Sequence, residues 1–505
     1  MDKGTQIDNG KLTKTLKLQI VFSLALSIFW VIFLWGFWDR GVIVFGLNAF
    51  IFIFLLTILF LWSLYKVQKF SQSDLIWIIP IFFIELSFLI YENPFLKVIS
   101  FLLLPVLFSL FYNYTLISNK KEFNWNFSFL VNTLGRILSF FSRLTQSAGR
   151  HYKLFIPSEK TNKAVIVKVI IGVVLLFVIS LGVVIPLLSS ADLEFANMMQ
   201  GIVEWFRNLI SEVVLMKIMF LLVLSVVIIA MISAWGKAYK YKDKENKKEN
   251  LDPIISTIVL GGILLLYLLF LWVQLERLWV GSLPFDFKET EALVKSGFWQ
   301  LFFLSIINIL IYFFTYKKTN KFVQNILIAF TFASLLLLFS AGQRMILYVW
   351  YYGLSYEKFF AFYTVIFCTI LFAWLIARLF MTKQANILKF LIVLFLWMYS
   401  VLTVFPVEQF IVRTNIKLAS EPNSKIKLYE MTMLSADALP LIQKYKQQGV
   451  LNETITAVDP FTQEEIIREV NWSPWIRRQE QSVFSKKPYE MNIFNIIYLF
   501  YYIRK

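Results

Sequence analysis

The chain has 505 residues, 58% of them hydrophobic and only 16% charged, and 53 are Phe. Soluble domains carry about 25% charged residues, so a chain this apolar needs the bilayer as part of its solvent. Its net charge of +17 sits in loops between apolar runs, without a zinc-finger, helix-turn-helix or RNA-binding signature, so nucleic acid is not an expected partner.

A membrane-crossing helix needs about 20 mostly apolar residues. In chain order such runs fall at 18–38, 42–65, 75–90, 98–117, 164–188, 213–235, 254–280, 293–315, 323–350, 359–381 and 387–405, about eleven spans. The third is short and holds Pro80 and Glu85. The expected fold class is therefore all-α: a polytopic helical membrane bundle with a small, mainly helical C-terminal domain. Its expected parts are a four-span N-terminal segment (1–117), a cytoplasmic loop with an amphipathic helix (118–163), a seven-span core (164–406) and an extracytoplasmic C-terminal domain (407–505).

Loop charge orients this map. If the N-terminus is cytoplasmic, it and every second connection should be rich in Lys and Arg. Lys3, Lys11, Lys14 and Lys17 precede the first span, Lys66 and Lys69 follow the second, and eight basic residues from Lys120 to Lys163 follow the fourth. Six from Lys237 to Lys248 follow the sixth, Lys317, Lys318 and Lys321 follow the eighth, and Lys383 and Lys389 follow the tenth. The opposite loops carry one or two each, such as Arg40, Lys97, Arg207 and Lys288. The N-terminus is expected inside and the C-terminal region outside. Trp35, Trp38, Asp39 and Arg40 stand where a cleavage site needs small residues, so the first span reads as a signal anchor.

Between 127 and 146, Phe127, Leu130, Val131, Leu134, Ile137, Leu138, Phe141 and Leu144 recur at the helical period. They predict a two-faced helix lying flat in the inner interface, with Arg136 and Arg143 toward anionic headgroups. The alternative is a partner-docking helix. A second amphipathic segment is expected over 192–212, on the outer side. Beyond 407 no run reaches span length. There, 424–448 reads as helix broken before Pro440, and 461–470 as helix started by Asp459 and Pro460. The apolar 493–503 fits a docked strand or helix.

One cysteine, Cys368, and one histidine, His151, exclude an intramolecular disulfide, multi-histidine metal sites and bis-histidine haem ligation. No metal or cofactor is expected, and no catalytic residue is assigned. GxxxxGK[ST], GxSxG and the protein-kinase set are all absent. Ionisable groups inside spans are costly and are functional candidates. Most lie in the outer halves: Glu85, Lys217, Gln274, Glu276, Arg277, Gln343 and Arg344, with Asn308 near mid-span. The expected ligand pocket joins Arg344, Glu276, Arg277, Glu85 and Gln343. The Arg344 guanidinium would grip a carboxylate or phosphate with two prongs, and Glu276 or Glu85 would be its resting partner. The competing reading is a set of snorkelling interfacial residues plus one structural Arg–Glu pair.

Three stretches carry a resemblance. The first is Ser296-Gly297-Phe298-Trp299-Gln300-Leu301; the second is Ser340-Ala341-Gly342-Gln343-Arg344-Met345, with Leu347-Tyr348 and Tyr352-Gly353-Leu354-Ser355. The third is Asn415 with Leu434-Ser435-Ala436-Asp437-Ala438-Leu439-Pro440, and Trp472-Ser473-Pro474-Trp475 adds to it. Together they resemble the bacterial multi-span proteins of the domain of unknown function 4173 family, related to the 4153 family. The resemblance implies a bacterial plasma-membrane protein and carries over no catalytic residue. Asp437 itself reads as a helix cap or a partner of Arg413.

The leading expectation is a non-enzymatic membrane protein, with membrane lipids as partners, that senses or transports a small anionic or lipid-like ligand at the outer leaflet. One alternative is an envelope-modifying transferase with a lipid-linked donor. It needs two carboxylates close together, and Asp286, Glu289, Glu291 and Asp437 are the candidates. Another is a structural subunit of a membrane complex.

Overall fold

A computed structural model describes residues 13–36, 45–67, 70–117, 125, 127–155, 184–199, 201, 212–236, 251–278, 287–381, 386–421, 424–451, 454–458, 465–469 and 471–503, with isolated positions between 169 and 180. The helices are α1 Lys14–Phe33, α2 Leu47–Tyr65, α3 Leu75–Ile90, α4 Pro94–Thr115, α5 Phe127–Phe155, α6 Ile185–Ala191, α7 Glu212–Trp235 and α8 Pro253–Leu278. They continue with α9 Phe287–Thr315, α10 Lys321–Tyr352, α11 Tyr356–Phe380, α12 Ile387–Val404, α13 Val407–Ala419, α14 Leu439–Gln447, α15 Ser473–Phe484 and α16 Ile493–Ile503.

Eight of these are long and apolar enough to cross a membrane, against the eleven spans expected. Two more expected spans coincide with shorter apolar helices, Ile76–Ile90 and Phe302–Thr315. The expected span at 164–188 lies mostly outside the described residues. Helices suit these runs because each satisfies its backbone polar groups internally, away from water. Local signals set their ends. Asn320, Ser355 and Asn386 accept hydrogen bonds from the Val323, Lys358 and Lys389 amides and so cap α10, α11 and α12. Gly353, at φ 75°, stops α10 in a conformation that side chains resist.

The chain divides into two compact units. The first comprises Met1–Leu75, Val98–Phe123 and Ser128–Tyr241. In it α1 packs on α7 and α2. Phe60, Tyr112 and Trp235 form an aromatic knot, and the Tyr112 hydroxyl donates to the Phe60 carbonyl at 2.5 Å. The α5 helix is amphipathic, and its polar side faces the protein. Asn113 donates to Thr133 at 2.6 Å, and Arg150 donates to Ser233 at 2.5 Å. Arg136 donates to the Trp235 carbonyl at 2.9 Å, capping the end of α7 instead of reaching toward headgroups. Val131, Leu134, Leu138 and Phe141 face outward.

The second unit comprises Ile76–Lys97, Asn124–Phe127 and Lys242–Lys505. Here α10 packs on α8, α9 and α11, and α11 packs on α12. Tyr312, Leu327, Phe330, Leu371, Phe372 and Leu375 fill that core. A second core joins Leu96, Leu354, Phe359 and Leu402, at helix ends, to Val412, Leu439, Ile442, Trp472 and Trp475 from the segment after Val404. That segment is mostly helical, but strands β1 Thr454–Val458 and β2 Glu465–Glu469 pair antiparallel, from Thr454↔Glu469 to Val458↔Glu465. The helix expected over 461–470 is thus corrected. Thr454, Ile455, Thr456 and Val458 of β1 and the Ile466-Ile467 pair of β2 are β-branched, which favours pleated pairing over a helical turn. Asp459 and Pro460 lie outside the described residues. Pro440 stands in the first turn of α14, and the 493–503 stretch is helix.

Candidate functional site

The site is built on the tight turn between α3 and α4. The Asn93 side chain accepts the Leu96 amide at 3.2 Å, and Pro94 begins α4. This fixes the turn so that the Glu92 amide donates to Asp437 Oδ2 at 2.6 Å. Asp437 sits in a short 3-10 turn, Ala436–Ala438, whose start is capped by the Ser435 hydroxyl. The Glu92 carboxylate pairs with Lys486 and accepts from the Asn495 amide at 3.3 Å. Lys486 donates as well to Asn495 Oδ1 at 3.1 Å. Stretches far apart in sequence thus close over one turn.

A second acid stands beside it. Glu408, in the first turn of α13, accepts the Tyr356 hydroxyl and, at 3.0 Å, the Ser435 amide. Asn93 donates to the same Tyr356 oxygen at 3.3 Å, and Gln409 donates to the Asp437 carbonyl at 3.0 Å. Lys97, one turn into α4, is 5% exposed, Glu408 3% and Asp437 2%. Tyr91, Lys97, Thr403, Phe405, Glu408 and Asp437 are among the residues around a cavity of about 10 Å³, room for roughly one water.

Burial governs the titration of this cluster. It raises Glu408 to about 8, and the charge of Asp437 pushes the same way. Asp437 is raised to about 7, first by burial and then by the charge of Glu92. Tyr91 is raised to about 12 by burial and by Asp437. Glu92 goes the other way. Burial alone would raise it, but the charge and hydrogen bond of Lys486, the charge of Lys97 and the hydrogen bond of Asn495 together outweigh burial and hold it below the ordinary carboxylate range. Three carboxylates therefore face two lysines.

The residues expected from the sequence are placed as follows. Glu85 is fully buried in α3. Gln343 and Arg344 are half-buried in α10, and the Arg344 Nε has no hydrogen-bond partner among the described residues. Glu276 and Arg277 lie in the last turns of α8, with side chains outside the described residues. The side chains of Asp286, Glu289 and Glu291 are outside them too. Asn308 is an internal tie: Tyr267 donates to it at 2.5 Å, and it donates to Ser334 at 3.0 Å. Lys217 lies over the Trp35 ring. Asp437 meets the Glu92 amide, while Arg413 is exposed.

Sequence reasoning missed Glu92, Lys97, Tyr356, Glu408 and Lys486. All stand at or near helix ends, where charge reads as ordinary loop polarity. The motif residues do meet here. Asn415 accepts the Leu354 amide at 2.6 Å and donates to the Leu354 carbonyl at 2.9 Å. A Cβ on Gly353 would sit 3.0 Å from Asn415 Oδ1 and from Ile426, which leaves that position to glycine.

The model of the family described as domain of unknown function DUF4153 matches residues 78–445. The chain belongs to this family. It is the relative of the 4173 family that the motifs resemble, and the 4173 family itself is not shown. No curated protein and no solved structure matches the chain. Among the cluster residues, the match takes in Glu92, Lys97, Tyr356, Glu408 and Asp437 but not Lys486 or Asn495. The family and the eight apolar helices make this an integral membrane protein of many spans.

Proposed function

We propose that this protein senses or transports a small anionic or lipid-like ligand at the outer leaflet of a bacterial plasma membrane, without catalysing a covalent reaction. The observation that carries this reading is the cluster of Glu92, Asp437 and Glu408 around Lys97 and Lys486. Glu92 and Lys486 pair at the half-buried edge, while Lys97, Glu408 and Asp437 are buried, and in so dry a place charge must balance. Three carboxylates against two lysines leave one carboxylate in excess, and the proton that balances it resides on Asp437 or Glu408. An incoming carboxylate or phosphate takes the place of a protein carboxylate beside a lysine, and the displaced group leaves the lysine by taking up a further proton. Ligand and proton arrive together. The cavity holds about one water, so the segment after Val404 must lift for a ligand to enter. With the N-terminus inside and eleven spans, this cluster lies at the outer face. Arg344, Gln343, Glu85, Glu276 and Arg277 are proposed as ligand contacts deeper in the span region, supported by the unused Nε donor of Arg344.

The test uses the full chain in phosphatidylcholine nanodiscs, with inorganic phosphate added or phosphatidylglycerol included. One of these anions is expected to raise the thermal midpoint. The apparent affinity should grow up to about tenfold for each pH unit lowered, and E408Q and D437N should weaken that dependence. No anion-dependent shift at any pH contradicts the reading.

The transferase reading keeps one specific support: Asp437 is a carboxylate close enough to Glu408 to raise it. It requires consumption of a lipid-linked donor that stops in D437N.

A further inference from the structure

The single histidine of the chain is buried in the first unit and takes no part in the cluster above. His151 Nδ1 lies 2.8 Å from the Ser147 carbonyl, and Nε2 lies 2.8 Å from Ser225 Oγ. Ser225 Oγ lies 2.7 Å from Ser23 Oγ, which lies 2.8 Å from the Ile20 carbonyl. The chain of contacts therefore runs from α5 through α7 to α1. Ser225 stands ten residues before the end of α7 at Trp235, about 15 Å along the helix axis, well inside an apolar span.

The hydrogens can be counted. Both ends of the chain are carbonyls, which only accept. Nδ1 must therefore carry a hydrogen, and Ser23 must give its own to Ile20 for the last contact to hold. A neutral imidazole brings one hydrogen and the two hydroxyls bring two, so three hydrogens serve four contacts. With Nε2 bare, Ser225 points at the imidazole, Ser23 points at Ser225, and the Ile20 contact is lost. One added proton on Nε2 reverses the direction. His151 then donates to Ser225, Ser225 to Ser23, and Ser23 to Ile20, and all four contacts hold.

We propose that His151 is a proton-binding site whose occupation reverses this hydroxyl chain and ties α5 to α7 and α1. The proton comes from water and adds to the Nε2 lone pair, with no other bond made or broken. The surroundings make it an acid-side sensor. No carboxylate occurs in α1, α2 or α5, and the one in α7, Glu212, is thirteen residues before Ser225. The nearby cations are engaged elsewhere: Arg150 at Ser233, Arg136 at the Trp235 carbonyl, Arg143 at Gln146 and Lys217 over Trp35. Burial pushes the imidazole toward its neutral form, and the Ser147 carbonyl pushes back. The gain that permits protonation is the completed chain.

The test is nitrogen NMR of the full chain in lipid nanodiscs with labelled histidine, which gives one imidazole. At alkaline pH we expect Nδ1 protonated and Nε2 bare, and both protonated in acid. S225A removes the hydroxyl that accepts from the imidazolium and should lower the midpoint by about one pH unit, a tenfold loss of proton affinity. S233A, which removes the partner of Arg150 and a bond to the Ile229 carbonyl but no member of the chain, should leave it in place. An imidazole that stays neutral down to about pH 4, or a midpoint that S225A does not lower, overturns the proposal.

Discussion

The α3–α4 turn of the second unit and the α5 helix of the first both bury titratable groups beside membrane-crossing helices, with opposite chemistry around them. At the turn, Glu92, Asp437 and Glu408 are surrounded by Lys97, Lys486 and amide donors, so the balance to keep is one of charge. Around His151 the partners are hydroxyls and carbonyls, so the balance to keep is one of hydrogens. A charged network fails when one ion is removed, because the other is left buried alone. A hydroxyl network tolerates loss of a member more cheaply, because each net hydrogen bond is worth only about 1 kcal/mol.

The largest effect expected from breaking this contrast is at Lys486. Lys486→Met leaves Glu92 without its cation and should cost about 2–4 kcal/mol of unfolding free energy in detergent. Adding Glu92→Gln should recover part of it, and a purely additive double variant would refute the coupling. Next is pH. Glu408 and Asp437 have raised values in the folded chain, so the fold binds their protons more tightly than the unfolded chain does. Stability should therefore fall as pH rises from about 4 to about 8, by a few kcal/mol, and flatten in E408Q. Glu92 acts with the opposite sign. Its value is lowered, so its contribution is present above the ordinary carboxylate range and is lost in stronger acid.

Smaller effects follow at the joints. Asn415→Ala removes both bonds to Leu354 and should cost about 1–3 kcal/mol by chemical denaturation. Gly353→Ala, at φ 75° and against Asn415, should cost about 1–2 kcal/mol. In the first unit, Arg136→Met uncaps α7 and should cost about 0.5–1 kcal/mol.

The apolar helices were legible because hydropathy is a local signal, although eight among the described residues, against the eleven expected, are long and apolar enough to cross a membrane. The second unit gathers the helix ends at 91–97, 352–356 and 405–409 around one cavity and one core. The opposite ends meet as well: the Leu251 amide donates to the Lys318 carbonyl, and Asn386 donates to the Trp125 carbonyl. The site was less legible. Arg344 stands out in the sequence because a guanidinium inside a span is rare, whereas Glu92 and Lys486 look ordinary until contacts 394 residues apart join them. Asp437 was visible within its motif, but its partner is a backbone amide, which no side-chain pattern announces. The polar face of α5 was legible as a stripe, but the direction it faces was not. A two-faced helix fits lipid on its apolar side whether its arginines reach headgroups or the carbonyl end of α7.

The most direct measurement of the central claim is the infrared carboxyl band of the full chain in nanodiscs at neutral pH. Balanced charge predicts one protonated carboxylic acid, whose band is lost or displaced in E408Q and in D437N and fades above about pH 8. A wild-type spectrum with no protonated carboxyl at neutral pH would contradict it, because the cluster would then hold its excess negative charge unbalanced.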